Sequence, residues 1–122
     1  MAMIRSPAVA GLFYPADIQQ LRHDVQQLLS HAKFHDTKPK ALIVPHAGYI
    51  YSGAIAATAY ISLKTIAARI ERVVLLGPAH RVAVYGMALP SVDVFATPLG
   101  PVQLDKKLIQ EIEHLPQVMV SD

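Results

Sequence analysis

Two short apolar runs, each followed by a turn with one histidine, dominate the hydrophobic pattern of the chain. Residues 41–44 (ALIV) lead into a turn that carries His46, and residues 73–76 (VVLL) lead into a turn that carries His80. Continuous apolar runs bounded by Gly and Pro are typical of strands covered on both faces. We therefore predict two buried strands that end at these turns.

A helix is expected between the two strands. Residues 53–66 are rich in alanine and lack charge until Lys64, and Ser52 is a candidate N-cap. Strand, helix and strand of this length form a βαβ unit, whose parallel strands usually lie side by side. Because open α/β sheets bind ligands at the carboxyl ends of their strands, His46 and His80 are expected at one edge of the sheet.

The remaining pattern predicts further helices and strands around this unit. Residues 3–14 suit an extended arm or edge strand, in which Phe13 and Tyr14 pack against the domain or, alternatively, line a pocket mouth. An amphipathic helix is expected over 18–32 with Asp17 and Gln20 in a capping-box pattern. Later elements are a strand at 92–97, a turn at 98–101, a returning strand at 102–104, a helix capped by Asp105, and a strand at 118–120.

Composition narrows the class of protein. A chain of 122 residues allows one domain or a piece of one, and its 52% apolar content could supply a sheet, an oligomer interface or contacts with other polypeptide. A net charge of +2 without a basic stripe gives no support for nucleic-acid binding. No signal-peptide core or membrane span fits the sequence, so we expect a cytoplasmic protein that does not bind membranes.

The two histidines are candidate metal ligands. Catalytic metal sites need about three protein ligands and an open position, and the chain contains no cysteine. The third ligand would be Asp93, Tyr49 or a group outside this chain. Two histidines and one carboxylate would indicate non-heme Fe(II). The alternatives are that both histidines only pack and that Asp93 is a turn residue.

Four motifs carry a family resemblance. RSPAVAGLFYPAD, PHAGYIYSG, LLGPAH and SVDVFATPLGPV occur in this order and together resemble the Memo family, whose bacterial and archaeal members are the Memo-like component of the AmmeMemoRadiSam system. The resemblance implies an α/β fold of the class III extradiol dioxygenase (LigB-like) type, with a central, mostly parallel sheet and helices on both faces. It also implies that residues 1–122 are a single domain, the N-terminal half of a Memo-like domain.

The resemblance further implies a metal pocket and a class of function. The first two metal-site histidines of the family match His46 and His80, which would be catalytic and metal-binding, whereas its next histidine and its cysteine lie further downstream. Iron (Fe2+) or copper is the expected metal, and Tyr49 and Asp93 are pocket candidates. The implied function is a dioxygenase-like redox enzyme acting on a small-molecule substrate. The alternatives are a non-catalytic adaptor or metal-binding partner of radical-SAM and AMMECR1-like proteins, an inactive half-domain, and, for its assembly, a homo-oligomer.

Overall fold

A computed structural model describes residues 1–122 of the chain as an α/β protein with mixed sheets. Its elements are β1 (Ile4–Arg5), α1 (Ile18–His31), α2 (Tyr49–Tyr60), two 3-10 turns (Ile61–Leu63 and Ala67–Arg69), β2 (Met87–Leu89), β3 (Val94–Thr97), β4 (Gly100–Gln103), α3 (Lys106–Ile112) and β5 (Val118–Val120). None of the helices has the length and hydropathy needed to cross a membrane. The chain divides into two compact units, Met1–Ser6 with Arg72–Asp122 and Pro7–Glu71.

The first unit contains all five strands, arranged as two small sheets. In the three-stranded sheet, β1 runs parallel to β3 and β3 runs antiparallel to β4. The second sheet is the parallel pair of β2 and β5. Val94 on β3 is the buried apolar centre of this unit, with 3% of its surface exposed. The parallel pairs join segments that are far apart in sequence, so neither is a local hairpin.

The β3–β4 hairpin forms where the alternating pattern and the Pro-Leu-Gly-Pro turn predicted it. The Thr97 hydroxyl donates to the carbonyl of Gly100 at 2.7 Å and accepts from the amide of Leu99 at 3.2 Å. Gly100 has φ +126°, a conformation that side chains strongly disfavour. The strands at 92–97 and 102–104 are confirmed, with bounds of Val94–Thr97 and Gly100–Gln103.

Two of the three helix caps read from the sequence, those at Asp17 and Asp105, are confirmed. Asp17 Oδ2 accepts from the amide of Gln20 at 2.8 Å at the start of α1, and Asp105 Oδ1 accepts from the amide of Leu108 at 3.0 Å at the start of α3. The reciprocal half of the capping box is not formed, because the Gln20 side chain donates to Asp24 instead.

The second unit is built on the packing of α1 against α2. Leu21 of α1 is 3% exposed and Ala57 of α2 is 2% exposed, and both are apolar. Small side chains allow this close approach, since a Cβ atom added at Gly53 would lie 3.0 Å from Leu28 Cδ1. The alanine-rich helix therefore packs closely as predicted, but its main buried neighbour is another helix rather than a sheet.

The start of α2 differs from the prediction. The helix begins at Tyr49, four positions before the expected start, and Gly48 is its N-cap residue. Ser52 lies inside the helix, where its buried hydroxyl donates to the carbonyl of Ala47 at 2.7 Å. The predicted N-cap role of Ser52 is therefore wrong, because the helical turn already contains it.

The two buried strands expected before the histidine turns are also wrong. Residues 41–44 and 73–76 are not in strands, Ile43 is 99% exposed, and Val73, Val74, Leu75 and Leu76 are 76–80% exposed. A central parallel strand needs hydrogen-bonding neighbours and cover on both faces. The five strands pair with one another instead, so the chain forms two small sheets rather than the single central sheet and the βαβ unit expected.

Gly86 directly precedes β2 and lies close to the residue before β5, so a substitution at Gly86 tests the pairing of these strands. The amide of Met87 donates to the carbonyl of Gln117 at 2.8 Å, and a Cβ atom at Gly86 would lie 2.2 Å from the same oxygen, at φ +88°. We expect Gly86→Ala to lower the free energy of unfolding by about 1–3 kcal/mol, measured by urea denaturation.

Gly77→Ala is the matched control for this substitution, because nothing lies within 4 Å of the added Cβ atom and its φ is ordinary. It should change the free energy of unfolding by less than about 1 kcal/mol. Equal stability of the two variants would contradict the parallel pairing of β2 with β5.

The Asp17 cap can be tested separately. Asp17→Ala removes the acceptor for the amide of Gln20 and should lower the free energy of unfolding by about 0.5–2 kcal/mol, measured by circular dichroism during denaturation. Asp17→Asn is the control, since asparagine caps helices about as well as aspartate. A stability loss of the same size in both variants would show that the charge, not the cap, is responsible.

Candidate functional site

His46 lies in the turn that leads into α2. Its side chain is exposed, and the chain enters the helix two residues later at Gly48. The amide of Tyr49 donates to the carbonyl of Phe13 at 2.8 Å, so the N-terminal arm fixes the first turn of the helix. The PHAGYIYSG motif is therefore half turn and half helix, with the histidine on the turn.

A concavity with a volume of about 400 Å³ adjoins this turn. It is lined by residues 47–51 together with Leu12 and Phe13, and its lining is mainly apolar. Ile50 and Tyr51 are 87% and 81% exposed, so the concavity is open to solvent. Phe13 thus lines a pocket, which was the alternative considered for it, whereas Leu12 and Ile50 were not anticipated because single apolar residues give no signal of a pocket.

Tyr49 lines this concavity, and the pKa of its hydroxyl is raised. Burial raises its pKa above the ordinary value, and the neighbouring phenols of Tyr14 and Tyr60 raise it further. Its ring packs against Tyr14 with centroids 5.6 Å apart and planes at 40°. At neutral pH the Tyr49 hydroxyl is therefore protonated and able to donate a hydrogen bond.

His80 belongs to the other compact unit. It is exposed and lies in the irregular segment between residues 73–76 and β2. His46 belongs to the unit Pro7–Glu71. A site shared by the two histidines stays a prediction.

Asp93 has a structural role that the sequence did not reveal. Its Oδ2 accepts from the amide of Met3 at 2.8 Å, its own amide donates to the Met3 carbonyl at 2.8 Å, and Oδ1 lies 3.3 Å from Lys106 Nζ. The hydrogen bond from Met3, followed by that from Lys106, lowers the pKa of the Asp93 carboxyl. A metal ion at Asp93 would have to compete with both of these partners, and its use as a ligand stays a prediction.

The donor set does not complete a metal site within this chain. No group of three or more His, Asp or Glu side chains is arranged to hold a metal ion. Imidazole nitrogen suits iron and copper, so His46 and His80 are chemically appropriate ligands. Catalytic sites need about three such ligands, however, and the residues described here do not supply the third in one place.

Comparison with known proteins decides the family. The family model described as Memo-like protein matches residues 5–122. The chain belongs to the Memo-like family. A "MEMO1 family protein" of Aquifex aeolicus is 41% identical over 113 residues, which cover 93% of this chain and 41% of that protein. Another from Methanocaldococcus jannaschii is 40% identical over 123 residues, covering 92% of this chain and 42% of that protein.

Memo-like relatives also occur in animals, and the relatives described here are longer than this chain. "Protein MEMO1" of Xenopus tropicalis is 38% identical over 111 residues, covering 91% of this chain and 37% of that protein. The Memo-like chain described here thus spans about two fifths of the length of the curated relatives it matches. The resemblance read from the four sequence motifs is confirmed at the level of the family.

The hydrogen bond between the Asp93 carboxylate and the Met3 amide is expected to weaken at acidic pH. Because its folded-state pKa is lowered, the carboxylate stabilises the folded state fully above the ordinary value of 3.8, and this contribution is lost as the pH falls through the lower folded value. We expect the Met3 amide to lose protection in that acidic range, measured by NMR or hydrogen exchange.

Asp93→Asn is the control for the pH effect. The amide oxygen can still accept from the Met3 amide but does not titrate in this range. The variant should therefore show weaker protection that does not change with acid. Identical acid profiles for the two proteins would contradict the role of Asp93.

Proposed function

We propose that residues 1–122 form the N-terminal half of a Memo-like domain related in fold to the LigB-like extradiol dioxygenases, and that they contribute His46 and His80 to its metal pocket. The observation that carries this proposal is family membership over residues 5–122 together with the exposed turn in which His46 lies. That turn runs directly into the residues that line the 400 Å³ concavity.

The chemistry proposed for the site divides between metal and protein. An iron or copper ion, when bound, would supply Lewis-acid and redox chemistry toward a small substrate or oxygen. The apolar concavity formed by Leu12, Phe13 and residues 47–51 would receive an apolar part of the substrate. The protonated Tyr49 hydroxyl would orient a polar substrate atom by donating a hydrogen bond.

The third ligand is proposed to come from outside this chain. Asp93 is hydrogen-bonded to Met3 and paired with Lys106, so its oxygens are already occupied by these groups. No other acidic residue or histidine forms a cluster of three with its neighbours. The proposed site is therefore a two-histidine contribution to a larger Memo-like pocket, in a protein that we propose is cytoplasmic.

A binding role without catalysis is the second candidate. Many large apolar side chains are exposed, among them Leu12, Ile50 and Tyr85 at 78%, 87% and 92%. Such surface favours interaction with other proteins. Under this reading the chain acts as an adaptor or metal-binding partner of radical-SAM and AMMECR1-like proteins, and His46 and His80 are not needed for that contact.

Metal titration tests the proposed ligands. We expect anaerobic Fe(II) or Cu(II) titration, followed by calorimetry and elemental analysis, to give about one weakly bound ion per chain, because the chain supplies only two of the protein ligands. His46→Ala and His80→Ala should each weaken that binding at least about tenfold, because each removes one of only two protein ligands.

The double variant His23→Ala/His114→Ala is the control, since it removes two exposed histidines that the proposal does not use. It should bind metal as the unmodified chain does. Unchanged binding after loss of both His46 and His80 would overturn the proposal.

A further inference from the structure

Residues 9–14 form a loop that is closed by its own backbone. The amides of Leu12 and Phe13 both donate to the carbonyl of Val9, at 3.0 and 2.9 Å, and the amide of Gly11 donates to the carbonyl of Tyr14 at 2.7 Å. Because buried and half-buried backbone groups that pair with one another define a single path for the chain, these bonds give the loop a fixed shape. The 9–14 loop is therefore a preformed part of the surface beside α2.

This loop holds Tyr49, the first residue of α2, at two points. The carbonyl of Phe13 accepts from the amide of Tyr49 at 2.8 Å, which fixes the backbone. The ring of Tyr14 packs against the ring of Tyr49, with centroids 5.6 Å apart and planes tilted by 40°. This separation lies in the range of favourable aromatic pairs. All of these residues belong to one compact unit, Pro7–Glu71, so both contacts act within a single body.

The side chain of Tyr49 lies between two concavities. It lines the concavity that adjoins the His46 turn, and it also lines a smaller apolar concavity of about 110 Å³, whose other residues, among them Leu28 and Tyr60, belong to α1 and α2. A tyrosine side chain without a partner can occupy several staggered rotamers. Contact with the Tyr14 ring favours the rotamer in which that contact is made, and so selects where the Tyr49 hydroxyl lies.

The acidity of Tyr49 agrees with a ring that is held in place. Burial is the largest cause of its raised pKa, and the phenol of Tyr14 is the next. Both effects require the ring to stay half-buried beside Tyr14, since a ring that turned into solvent would lose them.

We propose that Tyr14 is a positioning residue, whose ring holds the hydroxyl of Tyr49 at the concavity beside the His46 turn. The carbonyl of Phe13 and the ring of Tyr14 are then separate anchors, the first for the backbone of Tyr49 and the second for its side chain. The functional meaning of this anchoring rests on the proposed role of Tyr49 as a hydrogen-bond donor to substrate. The anchoring itself is a property of the chain without metal or substrate.

NMR of the metal-free 122-residue chain with labelled tyrosine tests the proposal. In the unmodified chain we expect one set of side-chain couplings for Tyr49 and cross-peaks between its ring and that of Tyr14. Tyr14→Leu keeps apolar bulk but removes the ring, and it should replace that single set with couplings averaged over several rotamers. The amide of Tyr49 should stay protected in hydrogen exchange, because its acceptor is the backbone carbonyl of Phe13.

Two further variants separate ring contact from general packing. Tyr14→Phe retains the ring and loses only the hydroxyl, so it should restore the single Tyr49 rotamer that Tyr14→Leu loses. Tyr85→Leu is the matched control, because it makes the same exchange at a tyrosine that is 92% exposed and belongs to the other compact unit. It should leave the Tyr49 signals as they are in the unmodified chain.

Two results would overturn the proposal. One is a single Tyr49 rotamer that persists in Tyr14→Leu, which would reduce Tyr14 to simple packing, and the other is its loss in Tyr14→Phe. Amide protection across α2 checks that the helix is intact, and Tyr14→Met, which is flexible and apolar, replaces Tyr14→Leu where the helix is disturbed. Anchoring of Tyr49 in a chain that fails to bind metal would sustain the role of Tyr14 and reject only the metal site.

Discussion

The structure depends on how many of its apolar side chains are buried by other parts of the chain. Apolar residues make up 52% of the chain, yet only Leu21, Ala57 and Val94 are buried apolar residues, each with 2–3% of its surface exposed. Leu21 and Ala57 lie where α1 meets α2, and Val94 lies at the centre of the three-stranded sheet. Each compact unit is therefore organised around one small core, and apolar segments that neither core reaches stay in solvent.

The same constraint shapes the candidate site. The turn that carries His46 is accessible, and an open apolar concavity begins at the next residue. Asp93, the carboxylate that the sequence suggested as a third ligand, instead ties the N-terminal arm and Lys106 to the start of β3. No group of three candidate ligands occurs in this chain, so the proposed role of its histidines is a contribution of ligands rather than a self-contained site.

Part of the fold and of the site could be read from the sequence. The caps at Asp17 and Asp105 and the β3–β4 hairpin involve partners within a few positions, so local residue types were sufficient to predict them. The four motifs also identified the family correctly. The apolar runs at 41–44 and 73–76 were misassigned as buried strands, because hydrophobicity indicates that a segment is suited to burial but not whether anything covers it.

The sequence by itself determined the presence of the helices, the caps at Asp17 and Asp105, the hairpin and the Memo-like family, because these follow from residue types at short spacing or from motif order. Only the tertiary structure decided which distant segments pair. The pairing of β1 with β3, the pairing of β2 with β5 and the contact of Met3 with Asp93 join residues that are separated by long stretches of chain. Such contacts depend on the competition of all segments for hydrogen-bond partners and apolar cover, which local patterns do not record.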